Sequence, residues 1–395
     1  MLRIVARGPC RCGFYNPRVN ANPDVPTEPA SDDLPELAAL VRQRIAAAGG
    51  WLAFDDFMAL VLYAPGLGYY ANAGRKFGQM PASGSDFVTA PEMSPLFGRA
   101  LAAQVAQGLQ VTASDCVTEF GAGSGALAGQ LLDALDALGQ APRCYQIIEL
   151  SAVLRQRQQA RLARFGQRVV WLDRLPEAIA GVVVANEVLD AMPVKLLAWD
   201  GAAWAERGVA LHESRLAWAD RATDLRPAVE VNFPPGAVTE IHPQAQAFIR
   251  TLAAHIQRGA GAIALLIDYG FPQAEYYHPQ RSAGTLMCHQ AHRADADPLV
   301  ALGRKDITAH VDFTSIALAA QDAGLDVLGY TSQGRFLVNC GLGELLTHAS
   351  LPEQVMAQRL IAEHEMGELF KVIALGHACD AALIGFAQGD RTHRL

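Results

Sequence analysis

The sequence predicts an α/β protein built on a largely parallel, doubly wound sheet. Short apolar runs at 144–148, 168–172, 181–185 and 262–267 alternate with segments of helical periodicity, which is the pattern of strands joined by crossover helices. The run at 181–185 is apolar at every position except its opening glycine, as is typical of a strand buried on both faces of its sheet. A strand-to-helix turn rich in glycine is the third indication of this fold class.

That turn lies between Val117 and Leu127, where one carboxylate precedes three glycines at alternate positions. Glu119 is followed by Gly121, Gly123 and Gly125, and leucines at helical spacing come directly after them. Glycines on such a turn let a ligand approach the backbone, and the first N–H groups of the next helix point at the same place. The spacing also fits the dinucleotide fingerprint G-x-G-x-x-G/A, and a tight turn without a ligand is a further alternative.

Two carboxylates favour S-adenosylmethionine over NAD as the ligand of this turn. Glu119 precedes the first glycine by two residues, where it can face the ammonium group of the methionine moiety, and Glu149 ends the second apolar run, where it can accept both ribose hydroxyls. NAD-binding proteins share the second carboxylate, so Glu119 is the better discriminator. We expect Ser151 to cap the following helix or touch the ribose, and Asp173 to meet the adenine amino group or cap a helix.

Composition limits the function classes further. Apolar residues make up 51% and charged residues 18% of the chain, which suits a well-buried core and argues against disorder. A net charge of −8 gives no basic footprint for nucleic acid, and no apolar run approaches the ~20 residues of a membrane span. Seven scattered cysteines indicate a reducing compartment. Cys10 and Cys12 lack a second ligand pair for zinc, so we expect no metal.

Three segments are predicted along the chain: a flexible tail over 1–33, helices and a lid over 34–94, and an α/β domain over 95–395. The tail carries arginines before its first acid, so a transit peptide or an over-long start are alternatives to a plain tail. We expect a cytoplasmic, bacterial protein, or a mitochondrial matrix protein if the tail is a transit peptide. The lid runs from Tyr69 to Ser94 and is too apolar for a linker; Arg75 is one of its residues that could close over a cofactor.

Two insertions are predicted inside the α/β domain. The first lies near 194–240, where Asp200-Gly201 and Arg207-Gly208 separate short alternating segments, which predicts an antiparallel ribbon with turns at those dipeptides. The second is irregular and spans about 271–311. After it we predict a helix and then two β-rich runs separated by Gln333-Gly334.

Ordered motifs in the lid, the glycine turn and the second half of the chain carry a resemblance to a known family that runs from about residue 34 to 376. They occur in this order: Leu62–Tyr70, Asp86–Glu92, Glu119–Gly123, Asn186–Val194, Ile267–Gly270, Asp306–Phe313 and Met366–Lys371. On these motifs the chain resembles the MidA-type S-adenosylmethionine-dependent methyltransferases, whose mitochondrial members assist assembly of respiratory complex I and are known as protein arginine methyltransferases. The stretch 78–84 looks longer than the lid of many relatives.

The resemblance implies a Rossmann-like, seven-stranded class I methyltransferase sheet with S-adenosylmethionine as cofactor. It further implies an arginine of a partner protein as the methyl acceptor, with a complex I subunit as one candidate and a homodimer left open. Two other function classes also stay open: a dinucleotide-dependent oxidoreductase, and a cofactor-bound assembly chaperone whose catalysis is incidental.

Asn186, Glu187 and Asp190 directly follow the strand at 181–185 and are the predicted catalytic residues. Ligands of open α/β folds bind beyond the carboxyl ends of the strands, so these side chains should face the transferable methyl. A guanidinium stays protonated, with a pKa above ~12, and carboxylates can hold it bidentately and accept the departing proton. The alternative is that Asp190 caps a helix while Glu187 is solvated.

Other polar residues have weaker predicted roles. Asp268 and Tyr269 follow the fifth strand and should line the substrate side, unless Asp268 is a buried structural acid. His310 and Asp312 precede a helix, and Asp312 is predicted to be its N-cap.

Overall fold

The computed structural model of the chain describes residues 33–72, 89–290 and 293–395. The predicted tail up to residue 32 and most of the predicted lid, including Arg75 and Asp86, lie outside these residues. Within the described ranges, no helix combines the length and apolar character needed to cross a bilayer.

The helices, numbered in chain order, are α1 (Pro35–Ala47), α2 (Phe54–Tyr63), α3 (Ala90–Met93), α4 (Pro95–Val111), α5 (Ala126–Ala137), α6 (Ala152–Leu162), α7 (Pro243–Ile256), α8 (Gln273–Tyr276), α9 (Phe313–Asp322), α10 (Gln333–Asn339), α11 (Leu342–Thr347), α12 (Leu351–Ile361) and α13 (Met366–Leu369).

The strands are β1 (Trp51–Ala53), β2 (Cys116–Phe120), β3 (Cys144–Ile148), β4 (Val169–Leu172), β5 (Gly181–Asn186), β6 (Lys195–Trp199), β7 (Trp204–His212), β8 (Arg215–Ala222), β9 (Val238–Ile241), β10 (Ala262–Phe271), β11 (Met287–Gln290), β12 (Arg293–Asp295), β13 (Asp306–Thr308), β14 (Val311–Asp312), β15 (Asp326–Ser332) and β16 (Phe370–His377).

The central sheet has the strand order β15-β16-β10-β5-β2-β3-β4, with the short β14 paired to the end of β10. Strands β4, β3, β2, β5 and β10 run parallel, and β16 is antiparallel to both of its neighbours. The predicted seven-stranded methyltransferase sheet is therefore confirmed. Phe120 lies beside Ile148 and Ala185 in register, so the carboxyl ends of β2, β3 and β5 meet at one edge.

Strand β5 shows why the middle of the sheet reads as a continuous apolar run. Val182 and Val184 pack into the core beneath α4 and α5, whereas Val183 and Ala185 pack into the core beneath α7 and α9. Both faces of this strand are covered, so a polar side chain at any of these positions would be buried without a hydrogen-bond partner.

The first insertion supplies β6 to β9, which form an antiparallel sheet together with β1; its order is β1-β7-β6-β9, and β8 is also paired to β7. The predicted turn at Asp200-Gly201 is present, but the turn predicted at Arg207-Gly208 is wrong because both residues lie inside β7. Glycine is required at position 208 because β1 lies close to β7 there: a Cβ atom would lie 2.4 Å from the carbonyl oxygen of Leu52 in β1. The second turn is made instead by Glu213 and Ser214, whose φ values are 48° and 68°.

The second β-rich run predicted after Gln333-Gly334 is also wrong, because these residues begin α10. Phe336 and Leu337 are fully buried while Arg335 and Val338 are exposed, so the apolar positions cover one face of a short helix. The antiparallel partner of β15 is the more distant β16, which inserts between β15 and β10.

The second insertion contains α8 and a three-stranded sheet of order β12-β11-β13. Leu302 and Ile307 of this region share an apolar core with Leu37 of α1 and Phe57 and Met58 of α2. The N-terminal helices and the second insertion therefore form one layer, which places β13 and the end of α2 at the same cavity.

Candidate functional site

A cavity of about 1120 Å³ lies at the carboxyl edge of the central sheet. Its walls come from the ends of β2, β3, β5 and β10, from α2 and α7, and from the second insertion. Sites for one small ligand usually measure ~300–1,000 Å³. The cavity is therefore large enough for a cofactor together with part of a substrate.

The glycine turn forms one wall of this cavity. Gly121, Gly123 and Gly125 have φ values of 61°, 53° and 80°, in the left-handed region that favours glycine. Gly121 and Gly123 line the cavity. Gly125 does not: it precedes α5 and faces α6, where an added Cβ would lie 3.5 Å from Gln158 and Leu162. Gly125 thus has a packing role against α6, and its contact with the cofactor stays a prediction.

Glu119 is the carboxylate behind this turn, and it is 2% exposed. The hydroxyl of Tyr145, on β3, donates a hydrogen bond of 2.7 Å to its Oε2 atom. Burial raises the pKa of Glu119 to about 7, the hydrogen bond from Tyr145 opposes this rise, and the charge of Glu149 adds to it. A carboxylate held so far from water is stabilised by any cation that the cavity admits.

Glu149 and Ser151 lie at the end of β3 and also line the cavity. The Oε1 atom of Glu149 accepts a 2.8 Å hydrogen bond from the Ser151 N–H group. The Ser151 hydroxyl accepts from the Leu154 N–H group and caps α6, which confirms the capping alternative. Leu150, between them, is 81% exposed and lines the same wall, so it offers an apolar face beside the acid.

Asp173 is not brought to this wall. Its side chain is exposed, and the described residues that line the cavity do not include it. The contact of Asp173 with adenine therefore stays a prediction. Gln244, Phe248 and Thr251 of α7 do line the cavity, and sequence patterns alone did not indicate that α7 would reach it.

Asn186, Glu187 and Asp190 all line the cavity beyond β5. No helix follows this strand, so the alternative in which Asp190 caps a helix is wrong. Glu187 has a φ of 55°, a conformation that is uncommon for residues other than glycine and that indicates local strain. The strained turn therefore needs support from its surroundings.

Asp268 supplies that support. Its Oδ2 atom accepts hydrogen bonds from the N–H groups of Val188, Leu189 and Asp190 at 3.1, 2.9 and 3.2 Å. Asp268 is 1% exposed and is not among the described residues that line the cavity, whereas its neighbour Tyr269 is. The structural alternative for Asp268 is thus correct, and Tyr269 lies on the predicted substrate side.

The end of the cavity beyond β5 has an excess of hydrogen-bond acceptors. Burial raises the pKa of Glu187 to about 8, and the charges of Asp190 and Asp306 add to the rise. Burial likewise raises the pKa of Asp190 to about 6. The Oδ1 atoms of Asn186 and Asp190 are buried without a hydrogen-bond partner among the described residues. Acceptors in this state favour a ligand that brings several donors and a positive charge.

Three further residues at this end were not predicted as site residues. The Tyr70 hydroxyl donates to Oδ1 of Asp306 at 2.8 Å, the Tyr63 hydroxyl donates to the Ala191 carbonyl at 2.7 Å, and the two rings stack at 5.5 Å. Tyr63, Tyr70 and Asp306 all line the cavity. The motifs that contain them are visible in the sequence, but nothing local indicates that residues 63, 70 and 306 meet.

His310 also lines the cavity. Its ring stacks on Phe271 with a centroid separation of 5.3 Å, and its backbone N–H group donates to the Thr285 hydroxyl. Burial lowers the pKa of His310 to about 4, so the ring is neutral at physiological pH. Asp312 is the N-cap of α9, as predicted.

Glu92 joins the described end of the predicted lid to the glycine turn. It is hydrogen-bonded to the Ser124 hydroxyl and lies 3.0 Å from the Arg161 guanidinium. Among the described residues, no group of three or more His, Cys, Asp or Glu side chains is arranged to hold a metal ion.

The model of a family described as "Putative S-adenosyl-L-methionine-dependent methyltransferase" matches residues 100–331, which is more than half of the chain. The chain belongs to this methyltransferase family. The cofactor of this methyltransferase is therefore S-adenosylmethionine, and the comparisons give no support to a dinucleotide-dependent oxidoreductase.

Solved and curated relatives agree with this assignment. A crystal structure from Burkholderia thailandensis, described as a "likely methyl transferase" bound to S-adenosyl-homocysteine, is 50% identical, covers 91% of this chain and 96% of that chain, and has a TM-score of 0.87. The mitochondrial protein arginine methyltransferase NDUFAF7 homolog of Drosophila melanogaster is 28% identical over 86% of this chain and 84% of its own length. Its mouse counterpart is 27% identical over 94% and 91%.

Proposed function

We propose that this methyltransferase transfers a methyl group to a guanidinium nitrogen of an arginine in a partner protein. The observation that carries the proposal is the acidic end of the cavity, where Glu187, Asp190 and Asp306 converge beside unpartnered acceptor atoms. An arginine side chain brings five N–H donors in a planar fork, together with a charge that stays fixed at neutral pH. That chemistry matches what this end of the cavity lacks.

The same acids favour arginine over lysine as the acceptor. A lysine ammonium must lose its proton before it can attack, and neighbouring carboxylates stabilise the ammonium form. An arginine can enter protonated and lose its proton as the new bond forms. Carboxylates on one side of the guanidinium hold its charge away from the attacking nitrogen.

We assign the other end of the cavity to the cofactor, because the residues there fit it. Buried Glu119 would face the methionine ammonium, Gly121 and Gly123 would expose backbone to the methionine moiety, and Glu149 would accept hydrogen bonds from the ribose hydroxyls beside Leu150. When bound, S-adenosylmethionine supplies an electrophilic methyl group on its sulfonium. Glu119 and Glu149 would hold the two ends of the cofactor and so orient it, and alignment supplies much of the rate of an in-line displacement.

Glu187 is the proposed acceptor of the proton that leaves the guanidinium. Its pKa of about 8 in the free protein falls when a cation binds beside it, because an opposite charge favours the ionised form. Asp190 and Asn186 hold the guanidinium in place, and Asp268 maintains the turn on which all three depend. A base whose pKa lies near the working pH is suited to general-base catalysis.

The Drosophila, mouse and human relatives, which are 25–28% identical to this chain, are named protein arginine methyltransferases. These names support an arginine acceptor. The resemblance to mitochondrial complex I assembly factors makes subunits of respiratory complex I the first acceptors to test. A cofactor-bound chaperone with incidental catalysis is the competing function, and it requires no methyl transfer to its partner.

The test is to incubate the purified protein and S-adenosylmethionine carrying a heavy methyl group with lysate from cells that lack this chain. We expect the label in one or a few proteins, and in methylarginine after complete hydrolysis. Label in methyllysine or only in small molecules would contradict the arginine proposal. Stable association with a partner that never acquires label would support the chaperone instead.

A further inference from the structure

Gln158, in the middle of α6, has no role in the assignments above, although it contacts two of the segments that carry cofactor-site residues. It is 0% exposed. Its Nε2 atom donates to the carbonyl of Gly123 and to Oε2 of Glu149, both at 2.9 Å. Its Oε1 atom accepts a 3.0 Å hydrogen bond from the indole N–H group of Trp171 in β4.

The orientation of this amide is fixed by its partners. An indole N–H group can only donate, and a carbonyl and a carboxylate can only accept, so the amide oxygen must face Trp171 and the amide nitrogen must face Gly123 and Glu149. Both N–H donors of the amide are used. A side chain locked in this way has no freedom to serve another purpose without breaking one of the three bonds.

We infer that Gln158 is a positioning residue for the cofactor, which sets the distance between the glycine turn and the ribose-binding acid. One donor holds Gly123 beside the methionine end, and the other orients Glu149 so that its remaining lone pairs face the ribose hydroxyls. The inference rests on the cofactor placement proposed above and is independent of the identity of the methyl acceptor.

The packing around Gln158 supports a positioning role. A Cβ atom on Gly125 would lie 3.5 Å from the Cα and Cγ atoms of Gln158, so the base of the glycine turn rests on α6 at this residue. On the far side, Ser151 anchors the start of α6 beside Glu149. Helix α6 therefore contacts both ends of the cofactor wall, and Gln158 is the side chain that bonds to both.

The test compares Gln158→Met with Gln104→Met by calorimetry on the purified protein. Gln104 is also 0% exposed and hydrogen-bonded, to the Gly385 N–H group and to Gln107, but it is not among the described residues that line the cavity. Two probes are used: S-adenosyl-homocysteine and its 2′-deoxy analogue. The ratio of the two affinities measures how much the 2′-hydroxyl contributes to binding, and therefore the strength of its contact with Glu149.

We expect Gln158→Met to weaken S-adenosyl-homocysteine binding by about 10- to 100-fold, because two buried acceptors lose their donor. The penalty for the missing 2′-hydroxyl, expected to be about 10-fold or more in the wild type, should shrink towards 1 in this variant. Gln104→Met should lower thermal stability while leaving both the affinity and the ratio unchanged.

Gln158→Glu provides a second, pH-dependent signature. A carboxylate at this position would face Oε2 of Glu149 and the Gly123 carbonyl without any donor, and only its protonated form can still bond to Glu149. Affinity relative to the wild type should therefore fall as pH rises from 6 to 8. Three results would each overturn the inference. The first is wild-type affinity for S-adenosyl-homocysteine in Gln158→Met. The second is weakened binding in this variant with an unchanged affinity ratio of the two probes, and the third is a ratio near 1 in the wild type.

Discussion

Tyr145 donates a hydrogen bond of 2.7 Å to Glu119, the most buried of the carboxylates that line the cavity. The two residues lie on adjacent parallel strands, β3 and β2. Burial raises the pKa of Glu119, and the hydrogen bond from Tyr145 opposes this rise, so Tyr145 favours the ionised form of Glu119.

Replacing Tyr145 by phenylalanine should make cofactor binding more sensitive to acid. The ionised form of Glu119 is the one that accepts an ammonium group, and its pKa of about 7 would rise further without the hydrogen bond. Affinity for S-adenosyl-homocysteine should fall as pH drops, with a midpoint at higher pH in Tyr145→Phe than in the wild type. Equal midpoints for Tyr145→Phe and the wild type, measured by calorimetry between pH 5.5 and 8.5, would show that Glu119 does not bind the ammonium group.

Gly123→Val should abolish cofactor binding. The substitution puts a branched side chain at a residue that lines the cavity and has a φ of 53°. Gly139→Val is the matched control, because Gly139 has a φ of 70° and open space around an added Cβ. Both variants carry a backbone penalty of about 1–2 kcal/mol, so both should melt earlier, but only Gly123→Val should lose S-adenosyl-homocysteine. Equal affinities in the two variants would remove the glycine turn from the site.

Ionisation of Glu187, at the acidic end of the cavity, should make the cofactor-free protein less stable as pH rises. Glu187 has a pKa of about 8 when folded and an ordinary value of 4.5. The folded state therefore binds this proton more tightly than the unfolded state does, and proton binding stabilises the fold at low pH. This contribution to the free energy of unfolding decreases as pH rises above 4.5 and is lost as pH rises through 8. Glu187→Gln should stabilise the cofactor-free protein at pH 8 by about 1 kcal/mol or more. Exposed Glu344 supplies the control variant Glu344→Gln; identical melting curves for both variants would place Glu187 in water.

Asp268→Asn should impair methyl transfer while sparing the cofactor. The three N–H groups that meet Oδ2 of Asp268 would face an amide NH₂ group, or an oxygen without charge, and the strained turn at Glu187 would loosen. Loss of such buried bonds costs about 1–3 kcal/mol, so the variant should also melt earlier. Transfer at wild-type rate, measured below the melting transition, would show that the turn holds its shape without Asp268.

Much of this fold could be predicted from the sequence, because its signals are local. The buried β5 is predicted from its continuous apolar run, the glycine turn after β2 from backbone freedom, and the acids after β3 and β5 from chain order. What could not be predicted depends on distant contacts. Strand β1 is only three residues long, and Gly208 lets it approach β7 closely. The strand that pairs with β15 is the later β16, and the apolar segment with Phe336 and Leu337 that directly follows β15 is a helix.

The candidate site divides in the same way. Glu119 lies near the end of β2, and Glu149 and Glu187 directly follow β3 and β5. The carboxyl ends of these strands meet at one edge, so a sheet argument brings the three acids together. Asp173 also follows a strand, but β4 is at the sheet edge and the side chain faces solvent. Tyr63, Tyr70 and Asp306 come from segments that meet only because the N-terminal helices pack on the second insertion, and no local pattern predicts that packing.

The central claim is that Glu187 and Asp190 hold and deprotonate an arginine, and one comparison tests it most directly. Methyl transfer to the identified protein acceptor is measured for Glu187→Gln, Asp190→Asn and the double variant, with S-adenosyl-homocysteine affinity measured alongside. We predict near-normal affinity in all three and a loss of transfer of about 100-fold or more in each single variant. The double variant should lose less than the product of the two, because both acids act on one guanidinium. Near-normal transfer by both single variants would contradict the account.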